Sequence, residues 1–439
     1  MHGVADTGGE TARPSDRFVI PGFLPGFILV TSLFFLWALA SNFNDILIRQ
    51  FQKALSLDRA EASLIQLMFY LGYFFMALPA GLVIRRFGYR AGILVGLGLY
   101  AAGALLFWPA AEVRLYWPFL GALFVLASGA AFLETAANPY IVAFGDPRRA
   151  AQRLNLAQAF NGVGAVLAPI IGGVFIFSGV EHGTAALAAM SPAELDAYRA
   201  SEAHMVQGPY LALAGVVLLV FMATAVVALP KVSAPAEKGE RVSLGSLLAD
   251  RPLMAAVIAQ FFYVAAQVGI WSFFVDFTKD MMPATPEKTA AFMLSASLGL
   301  FMIGRFAGAA LMHKIAAPRL LLIFAAANVL LCAVAGLTAG VVAVAALGLT
   351  SFFMSIQFPT IFALGVEGQG KRTSLASSLI IMAIIGGAAA PPLMGLISRS
   401  GGGLRLAMIV PLVCFLVVAL FARTRSKTPA ALDTAPTAP

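Results

Sequence analysis

Long apolar stretches alternate with short polar segments along nearly the whole chain. Each stretch holds roughly 20 consecutive apolar residues, the length that an α-helix needs to cross a bilayer. Barrel strands would be about ten residues long and would alternate in polarity. The pattern therefore predicts twelve transmembrane helices, near residues 22–48, 61–84, 91–111, 115–144, 152–179, 206–229, 252–278, 288–312, 319–338, 341–366, 373–398 and 404–422.

The polar segments between these stretches carry the charge asymmetry that sets orientation. The sequence contains 29 Lys and Arg residues. Most of them fall in cytoplasmic segments if the N-terminus lies inside, as Arg148 and Arg149 do after the fourth stretch. Cytoplasmic loops carry an excess of Lys and Arg, and an even number of crossings returns the chain to its starting side. We therefore expect both termini in the cytoplasm.

Composition favours a membrane protein over soluble classes. Hydrophobic residues make up 60% of the 439 residues and charged residues 11%, with a mean hydropathy of +0.88, whereas soluble domains carry about 25% charged residues. The net charge of +8 fits basic cytoplasmic loops, and the sequence has no Lys/Arg tract of the nucleic-acid-binding type. The polar residues 1–20 lack the order of a cleavable signal peptide. Cys332 and Cys414 fall inside apolar stretches and are expected to be small buried hydrophobes.

An internal repeat divides the chain in two. Shifts of 227 and 220 residues align glycine and proline positions of the two parts: Gly81 with Gly308 and Pro139 with Pro359. Parallel repeats of this kind are typical of secondary transporters, which bind substrate between the halves. The expected organisation is a cytoplasmic tail (1–20), a six-helix bundle (21–229), a linker (230–251), a second bundle (252–425) and a disordered tail (426–439).

Two acidic residues lie well inside the predicted helices. Asp45 lies towards the outer end of the first helix, and Glu134 lies near the middle of the fourth. A charge at bilayer depth costs several kcal/mol even on lenient scales, and desolvation favours the neutral carboxyl. Such a carboxyl can take up a proton on one side and release it on the other. The alternative is a carboxylate held by a buried arginine; Arg305 lies inside a predicted helix, but far from Asp45 by its position along that helix.

Neutral polar and aromatic residues occur on the same helices. Gln158 and Asn161, three residues apart, share one helix face. Amides donate and accept hydrogen bonds, which suits a ligand covered with hydroxyl groups, and tryptophan can stack on the C–H face of a pyranose. For single residues, interhelical hydrogen bonds and interfacial anchoring remain open. As a set, the predicted substrate-binding residues are Trp37, Asn42, Gln158, Asn161, Tyr263, Gln267, Trp271 and Gln357.

A short signature closes the second predicted helix. Gly81-Leu-Val-Ile-Arg85-Arg86-Phe-Gly88-Tyr-Arg90 is similar to the Gly-x-x-x-Asp-Arg-x-Gly-x-Arg/Lys signature of the major facilitator superfamily. Gly81, Arg85, Arg86, Gly88 and Arg90 are therefore predicted to form a cytoplasmic gate. Because Arg85 stands where the signature has Asp, we expect its charge relay to use other partners. The sequence shows no Walker A motif, His/Cys metal spacing or nucleophile elbow, so we expect no enzyme activity, no ATP and no cofactor, with protons as the coupling ion.

Four runs carry a more specific resemblance: residues 35–47, 132–140, 153–161 and 354–362. They resemble the L-fucose:proton symporter family of major facilitators, and the similarity covers almost the whole chain. The resemblance implies a proton-coupled sugar importer of the bacterial inner membrane that works by alternating access.

The resemblance also implies roles for single residues. In that family an Asp on the first helix and a Glu on the fourth serve proton coupling and sugar recognition; they correspond to Asp45 and Glu134. The family's Asn near the sugar corresponds to Asn161, and its two tryptophans near the cavity match Trp37 and Trp271. Members carry L-fucose, glucose and galactose, N-acetylglucosamine or sucrose, and the shared motifs do not choose among them.

Other functions remain open on the sequence alone. A proton-driven exporter would have a more apolar cavity, which the Asn and Gln cluster argues against. A sugar sensor would bind sugar without moving it. We expect a symporter for L-fucose or a related monosaccharide, monomeric in the bilayer, with sugar and protons as its partners and no nucleic acid.

Overall fold

A computed structural model describes residues 18–55, 59–175, 189–230 and 244–427. All regular elements in these ranges are helical. They are α1 (Leu24–Leu55), α2 (Arg59–Phe87), α3 (Tyr89–Val113), α4 (Tyr116–Val142), α5 (Ala150–Phe175), α6 (Pro192–His204), α7 (Gln207–Val226), α8 (Leu244–Leu248), α9 (Arg251–Met281), α10 (Glu287–Leu311), α11 (Ala317–Leu337), α12 (Gly340–Met354), α13 (Gln357–Val366), α14 (Thr373–Met382), α15 (Gly386–Ile397), α16 (Gly403–Ala407) and α17 (Ile409–Lys427).

The helices cross a membrane repeatedly, as the apolar stretches predict. Within the described ranges, 10 helical segments are long and apolar enough to span a bilayer. Helices α1, with 32 residues, and α5, with 26 residues, are also long enough to do so. The predicted fold class, an all-helical membrane protein, is confirmed.

The last three crossings are each built from two helices, whereas the sequence predicts one continuous helix for each. α12 ends at Met354, α13 begins at Gln357, and Pro359 is the third residue of α13. Proline lacks an N–H and clashes with the carbonyl four residues earlier, so it favours a break just before it. Its repeat counterpart Pro139 lies inside α4, which continues to Val142.

The first half consists of α1–α5 and α7, and the second of α9–α17. The closest packing in the first half joins α3 to α4. A Cβ added at Gly129 would lie 2.4 Å from the Tyr100 nitrogen, and one at Gly103 would lie 2.4 Å from the Leu126 nitrogen. Small residues allow helix backbones to approach this closely, so α4 is held firmly against α3.

The chain between the halves differs in detail from the predicted linker. Residues 230–251 include the short helix α8, and Asp250 caps α9, its side chain accepting a hydrogen bond from the Leu253 amide at 3.1 Å. At the other end α17 runs to Lys427, so the first two residues of the predicted disordered tail are helical. The remainder of that tail and most of the predicted 1–20 tail lie outside the described residues.

The two halves meet along α2, α4 and α5 on one side and α10, α13 and α14 on the other. With twelve crossings, Leu24 at the start of α1 and Lys427 at the end of α17 lie on one face of the bundle. We call it the terminal face; it is the face predicted to be cytoplasmic.

The seam between the halves is closed near the terminal face. The Gln152 amide donates to the Ala309 carbonyl at 3.2 Å, and the Asn155 amide donates to the Thr360 hydroxyl at 3.1 Å. A Cβ at Gly81 would lie 2.9 Å from a backbone oxygen of α14. These contacts lie within about two turns of the helix ends at that face. They separate the middle of the bundle from the terminal face.

Candidate functional site

Glu134 lies on the most buried crossing of the described residues. In α4, 83% of the 18-residue apolar stretch is buried inside the protein, and Glu134 itself is 8% exposed. It stands eight residues before Val142, the last residue of α4, which corresponds to about 12 Å of helix. The close α3–α4 packing fixes the backbone that carries it. The carboxyl is therefore held at one depth, above the closed end of the seam.

Two groups act on the Glu134 carboxyl. The Tyr73 hydroxyl, on α2, donates a hydrogen bond to Glu134 Oε1 at 3.0 Å. The Arg305 guanidinium, on α10, acts on the same carboxyl electrostatically. Charges interact far more strongly in a low-dielectric interior than in water. Burial disfavours the charged form of Glu134, and one neutral donor from its own half and one positive charge from the other half act against that effect.

Arg305 bridges the two halves directly. Its Nη1 donates to the Gln158 side-chain oxygen at 3.1 Å, to the Asn161 side-chain oxygen at 3.2 Å, and to the Gln158 backbone carbonyl. Its guanidinium also lies 4.5 Å from the centre of the Phe301 ring, a cation–π contact. A buried cation is tolerated only when it is paired and hydrogen-bonded. These acceptors supply that pairing at the middle of the seam.

The amides of the first half extend this network. Gln158 Nε2 donates to Asn138 Oδ1, on α4, at 3.2 Å, and Asn161 Nδ2 donates to the Phe34 carbonyl, on α1, at 3.4 Å. The network therefore joins α1, α4, α5 and α10. It brings Glu134, Gln158 and Asn161, which the sequence predicted separately, into one cluster.

Several buried polar atoms on helices of both halves lack a hydrogen-bond partner among the described residues. Burying a polar group without a partner costs about 1–3 kcal/mol, so such atoms are candidates to bind a ligand or water. They include Asn138 Nδ2, both amide atoms of Gln260, the Tyr263 hydroxyl, Arg305 Nε and Gln357 Oε1. The sites come from both halves, as a ligand at the seam requires.

The second half contributes aromatic and polar residues from α9. Trp271 and Gln267 are half-buried, and Tyr263 is buried with its ring 6.3 Å from Phe358. Residues 263, 267 and 271 follow one another at four-residue spacing and share a helix face. Gln357 is buried at the start of α13, where its amide donates to the Phe353 carbonyl at 3.0 Å. Tyr263, Gln267 and Trp271 therefore form one face of α9, whereas the described hydrogen bond of Gln357 stays within the second half.

The predicted residues on α1 have different environments. Trp37 is 1% exposed and packs on Phe34, with ring centres 4.3 Å apart, so in this conformation its ring lies inside the first half. Asn42 is half-buried and donates to the Ala38 carbonyl of its own helix at 2.7 Å. Asp45 lies within α1, but its side chain is outside the described part of the chain. Its role in proton coupling stays a prediction.

The signature at the end of α2 divides into two parts. Gly81 packs against α14 of the other half, as a gate residue would. Arg90 instead donates to the Thr224 carbonyl at 3.1 Å and to the Ala225 carbonyl, both at the end of α7 in its own half. Arg86 lies over the Phe87 ring, Gly88 adopts a positive φ of 86°, and Arg85 is half-buried. Arg90 therefore ties the first half together rather than bridging the seam.

Sequence reasoning missed several residues of the site and the seam. Arg305 was considered only as a partner for Asp45, whereas the structure brings it to Glu134, Gln158 and Asn161. The available signal was the position of Arg305, a charged residue inside a predicted transmembrane helix, since intramembrane charges are rarely without use. Tyr73 and Thr360 gave no such signal, because tyrosine and threonine are common within apolar helices. Asn155 carries the same amide as Asn161 six residues later on α5, but its sequence position does not show that it faces the other half.

The chain is similar to known transporters over nearly its whole length. The family model described as Major Facilitator Superfamily matches residues 23–382. The L-fucose-proton symporter of Escherichia coli (strain K12) is 42% identical over 95% of this chain and 96% of its own length. A glucose/galactose transporter of Brucella abortus biovar 1 (strain 9-941) is 37% identical over 92% and 95%, respectively.

Solved structures agree with the sequence comparison. The crystal structure of the major facilitator transporter FucP in the outward conformation superimposes with a TM-score of 0.86 at 42% identity, covering 92% of this chain and 100% of that one. A proton:xylose symporter, XylE, shares the fold at 13% identity, with a TM-score of 0.66 over 91% of this chain and 95% of its own. These relatives are transporters, not enzymes. The chain belongs to the L-fucose:proton symporter family of the major facilitator superfamily.

Proposed function

We propose that this protein is a proton-coupled symporter that imports L-fucose or a related monosaccharide by alternating access. The observation that carries the proposal is the buried Glu134 carboxyl, which shares a network with Arg305 and the amides of Gln158 and Asn161. A group that can gain or lose a proton thus lies beside groups that can bind hydroxyls. The relatives named L-fucose-proton symporter support the same function.

The charge on Glu134 couples the proton to the halves. When Glu134 is ionised, its attraction to Arg305 acts across the seam and favours the present arrangement. Protonation removes that attraction and leaves Arg305 with its amide acceptors on α5. The seam then loosens, and the halves rock about the bound sugar. Asp45 is the second proton carrier in this scheme, and the proton-motive force drives accumulation at about 2.3 kcal/mol per charge per 100 mV.

Sugar recognition uses the unpartnered polar atoms at the seam. A pyranose carries several hydroxyl groups, each able to donate and accept. Gln260, Tyr263 and Asn138 offer the complementary atoms from both halves. The half-buried Trp271 ring offers an apolar surface to the sugar's C–H face. Binding therefore satisfies groups whose isolation in the bilayer interior is unfavourable.

The closed seam supports one direction of access. With the terminal face in the cytoplasm, the hydrogen bonds of Gln152 and Asn155 close the cytoplasmic side, and sugar enters from the periplasm. This arrangement supports a resting state like the outward conformation named for the FucP structure. The protein works as a monomer in the bacterial inner membrane, without ATP and without any cofactor beyond the coupling protons.

A second candidate substrate class has its own support. The Brucella and Helicobacter pylori relatives, at 37–38% identity, are described as glucose/galactose transporters or putative ones. The network contains amides and a tyrosine rather than a group selective for one sugar. N-acetylglucosamine remains a third candidate. Competition of L-fucose uptake by galactose, glucose and N-acetylglucosamine ranks these substrates directly.

Two transport modes test the coupling. Purified protein in proteoliposomes is assayed for sugar-driven alkalinisation of the medium and for counterflow of labelled sugar, which needs no net proton movement. Glu134→Gln keeps the shape and the hydrogen bond from Tyr73 but cannot carry a proton, so alkalinisation is lost and counterflow remains. Glu112→Gln, an exposed carboxylate hydrogen-bonded to Gln207, serves as the control and keeps both. Unchanged alkalinisation in Glu134→Gln would refute the proposed role of Glu134.

A further inference from the structure

A chain of hydrogen bonds in the second half holds the indole of Trp271. Trp271 Nε1, on α9, donates to Ser351 Oγ, on α12, at 3.0 Å. The hydroxyl oxygens of Ser351 and Ser297, on α10, lie 2.6 Å apart. Ser297 Oγ in turn donates to the Gly348 carbonyl at 2.9 Å. Three helices of the second half therefore converge on one aromatic side chain.

The order of donors and acceptors in this chain is fixed by counting protons. A serine hydroxyl has one proton to donate. Because Ser297 donates to the Gly348 carbonyl, it accepts from Ser351. Ser351 has then used its proton and can only accept from Trp271. Ser351 is 0% exposed and Ser297 is 2% exposed, so bulk water does not compete, and the indole N–H is held in one direction.

The ring of Trp271 lies next to the cluster at the seam. It packs against the Phe301 ring in a T-shaped arrangement, with ring centres 5.0 Å apart and planes at 82°. Phe301 also lies under the Arg305 guanidinium, which donates to Gln158 and Asn161. Trp271 shares a helix face with Gln267, and both are half-buried. The exposed part of the indole therefore borders the proposed sugar site.

We propose that Ser351, supported by Ser297, is a positioning residue of the sugar site. It holds the Trp271 indole so that one ring face stays turned to the site, ready to stack on the C–H face of a pyranose. The inference rests on the proposed function and assigns a role to two residues that do not touch the sugar. A side chain fixed before binding loses less rotamer entropy on binding.

A double-mutant cycle tests this role. Counterflow of labelled sugar is measured over a range of concentrations for the intact protein, Ser351→Ala, Trp271→Phe and the double variant. Losing one hydrogen bond to the indole raises the half-saturating sugar concentration of Ser351→Ala about five-fold, with the maximal rate little changed. Trp271→Phe has no N–H, so Ser351→Ala adds nothing further in that background. Tryptophan fluorescence gives a second measurement. In a background with the exposed Trp108 and Trp117 replaced by Phe, Ser351→Ala also alters the size of the fluorescence change that sugar causes.

A matched control separates positioning from packing. Thr350→Val removes the neighbouring hydroxyl, which is equally buried and whose described hydrogen bond is to the Leu347 carbonyl of its own helix, 2.6 Å away. This variant leaves the half-saturating concentration unchanged. An equal rise in Thr350→Val, or a rise from Ser351→Ala that persists with Trp271→Phe, overturns the proposal. If Ser351→Ala does not fold, Ser297→Ala is used in its place. It should raise the half-saturating sugar concentration by a smaller factor, and an unchanged concentration would contradict the proposal. If the intact protein itself shows no sugar counterflow, the proposed function is overturned, and with it the role assigned to Ser351.

Discussion

In the first half, Glu134 accepts a hydrogen bond from Tyr73 of the same bundle, and the neighbouring helix α5 carries the Gln158 and Asn161 amides that accept from Arg305. In the second half, the repeat counterpart of Glu134 is Met354, a buried apolar residue at the end of α12. The polar groups of the second half stand elsewhere: Arg305 on α10 and the Trp271–Ser351 pair between α9 and α12. The repeat thus preserves the helices but not the chemistry that they carry.

This difference places the opposite charges on opposite sides of the seam. A pair within one half would be carried along unchanged when the halves move. The interaction between Glu134 and Arg305 instead changes with every movement of the seam, and every change in the charge of Glu134 acts on the seam. Coupling between proton and conformation needs such a differential interaction. The asymmetry between the halves is therefore the basis of the proposed mechanism.

The largest expected effect comes from removing the cation of the second half. Arg305→Met leaves the Glu134 carboxylate buried with its described hydrogen bond from Tyr73 and no cation from α10. The substitution also removes the donor to the buried Gln158 and Asn161 oxygens. Leaving a buried polar group without its partner costs about 1–3 kcal/mol, so we expect a large fall in apparent melting temperature in detergent and sugar uptake reduced about 100-fold. Glu134→Gln should cost less, because Arg305 keeps acceptors on Gln158 and Asn161.

The double variant completes this comparison of the two charges. If the two groups interact across the seam, Glu134→Gln in the Arg305→Met background restores much of the lost thermal stability, because no uncompensated charge remains. Arg305→Lys keeps the charge but not the planar fork of donors, and it should lie between Arg305→Met and the intact protein. Additive losses in the double variant would show that the two charges act independently.

The next effect concerns the rigidity of the first half. A Cβ at Gly129 would lie 2.4 Å from the Tyr100 backbone nitrogen, so Gly129→Ala must push α3 and α4 apart. Overpacking of this kind costs about 1–3 kcal/mol, measured as a lower apparent melting temperature. Gly121, on the same helix, has no described atom within 4 Å of its added Cβ. Gly121→Ala is the matched control, and a loss there as large as at Gly129 would contradict the steric explanation.

The contrast between the halves also explains what the sequence could predict. Apolar length determines the crossings, so the sequence predicts most helix ends to within a few residues. The exceptions are α1, which continues to Leu55, and α17, which continues to Lys427, beyond predicted ends at 48 and 422. Glu134 was found because its charge is unusual within an apolar run. The break between α12 and α13 was missed because Pro139 and Pro359 occupy equivalent positions, yet only the second follows a break. The partnership of Arg305 depends on which helices face each other, and periodicity within one helix carries no such information.

The join between the halves offers a smaller, conformational effect. Asn155→Leu removes the hydrogen bond to Thr360, one of the contacts that close the seam at the terminal face. A hydrogen bond contributes about 1 kcal/mol, so the population open at that face should rise about five-fold. Spin labels on Arg148→Cys and Lys371→Cys, exposed residues on opposite sides of the seam, report the distance by electron spin resonance.

The partner residue provides the control for the seam. Thr360→Val should produce the same shift as Asn155→Leu, and the double variant should shift no further than either one. Ser377→Ala removes an equally buried hydroxyl whose described hydrogen bond is to the Thr373 carbonyl of its own helix, 2.7 Å away, and should leave the distance distribution unchanged. Additive shifts would mean that the two residues close the seam through separate contacts.

The smallest expected effect is a pH dependence of stability that distinguishes the two halves at the terminal face. A shift of 219 residues aligns Arg153 with Arg372 in the sequence repeat. The two arginines differ at this face: Arg153 donates to backbone carbonyls, at 2.8 Å for Asp146, whereas Arg372 pairs with the Asp250 carboxylate at 2.9 Å. Hydrogen bonds from Gln369 and the Leu253 amide, together with Arg372, hold the pKa of Asp250 below its usual value.

Because the folded pKa of Asp250 is depressed, its contribution to stability is present above about pH 4, the usual aspartate pKa, and is lost as the pH falls through the folded value. Asp250→Asn should lower the apparent melting temperature at pH 7 by the equivalent of about 1 kcal/mol or less, with the difference from the intact protein shrinking towards pH 3. Asp196→Asn, which breaks the more exposed pair with Arg114 at 2.8 Å, should change it less. A deficit in Asp250→Asn that stays constant from pH 7 to pH 3 would show that the carboxylate charge contributes nothing at this end of the second half.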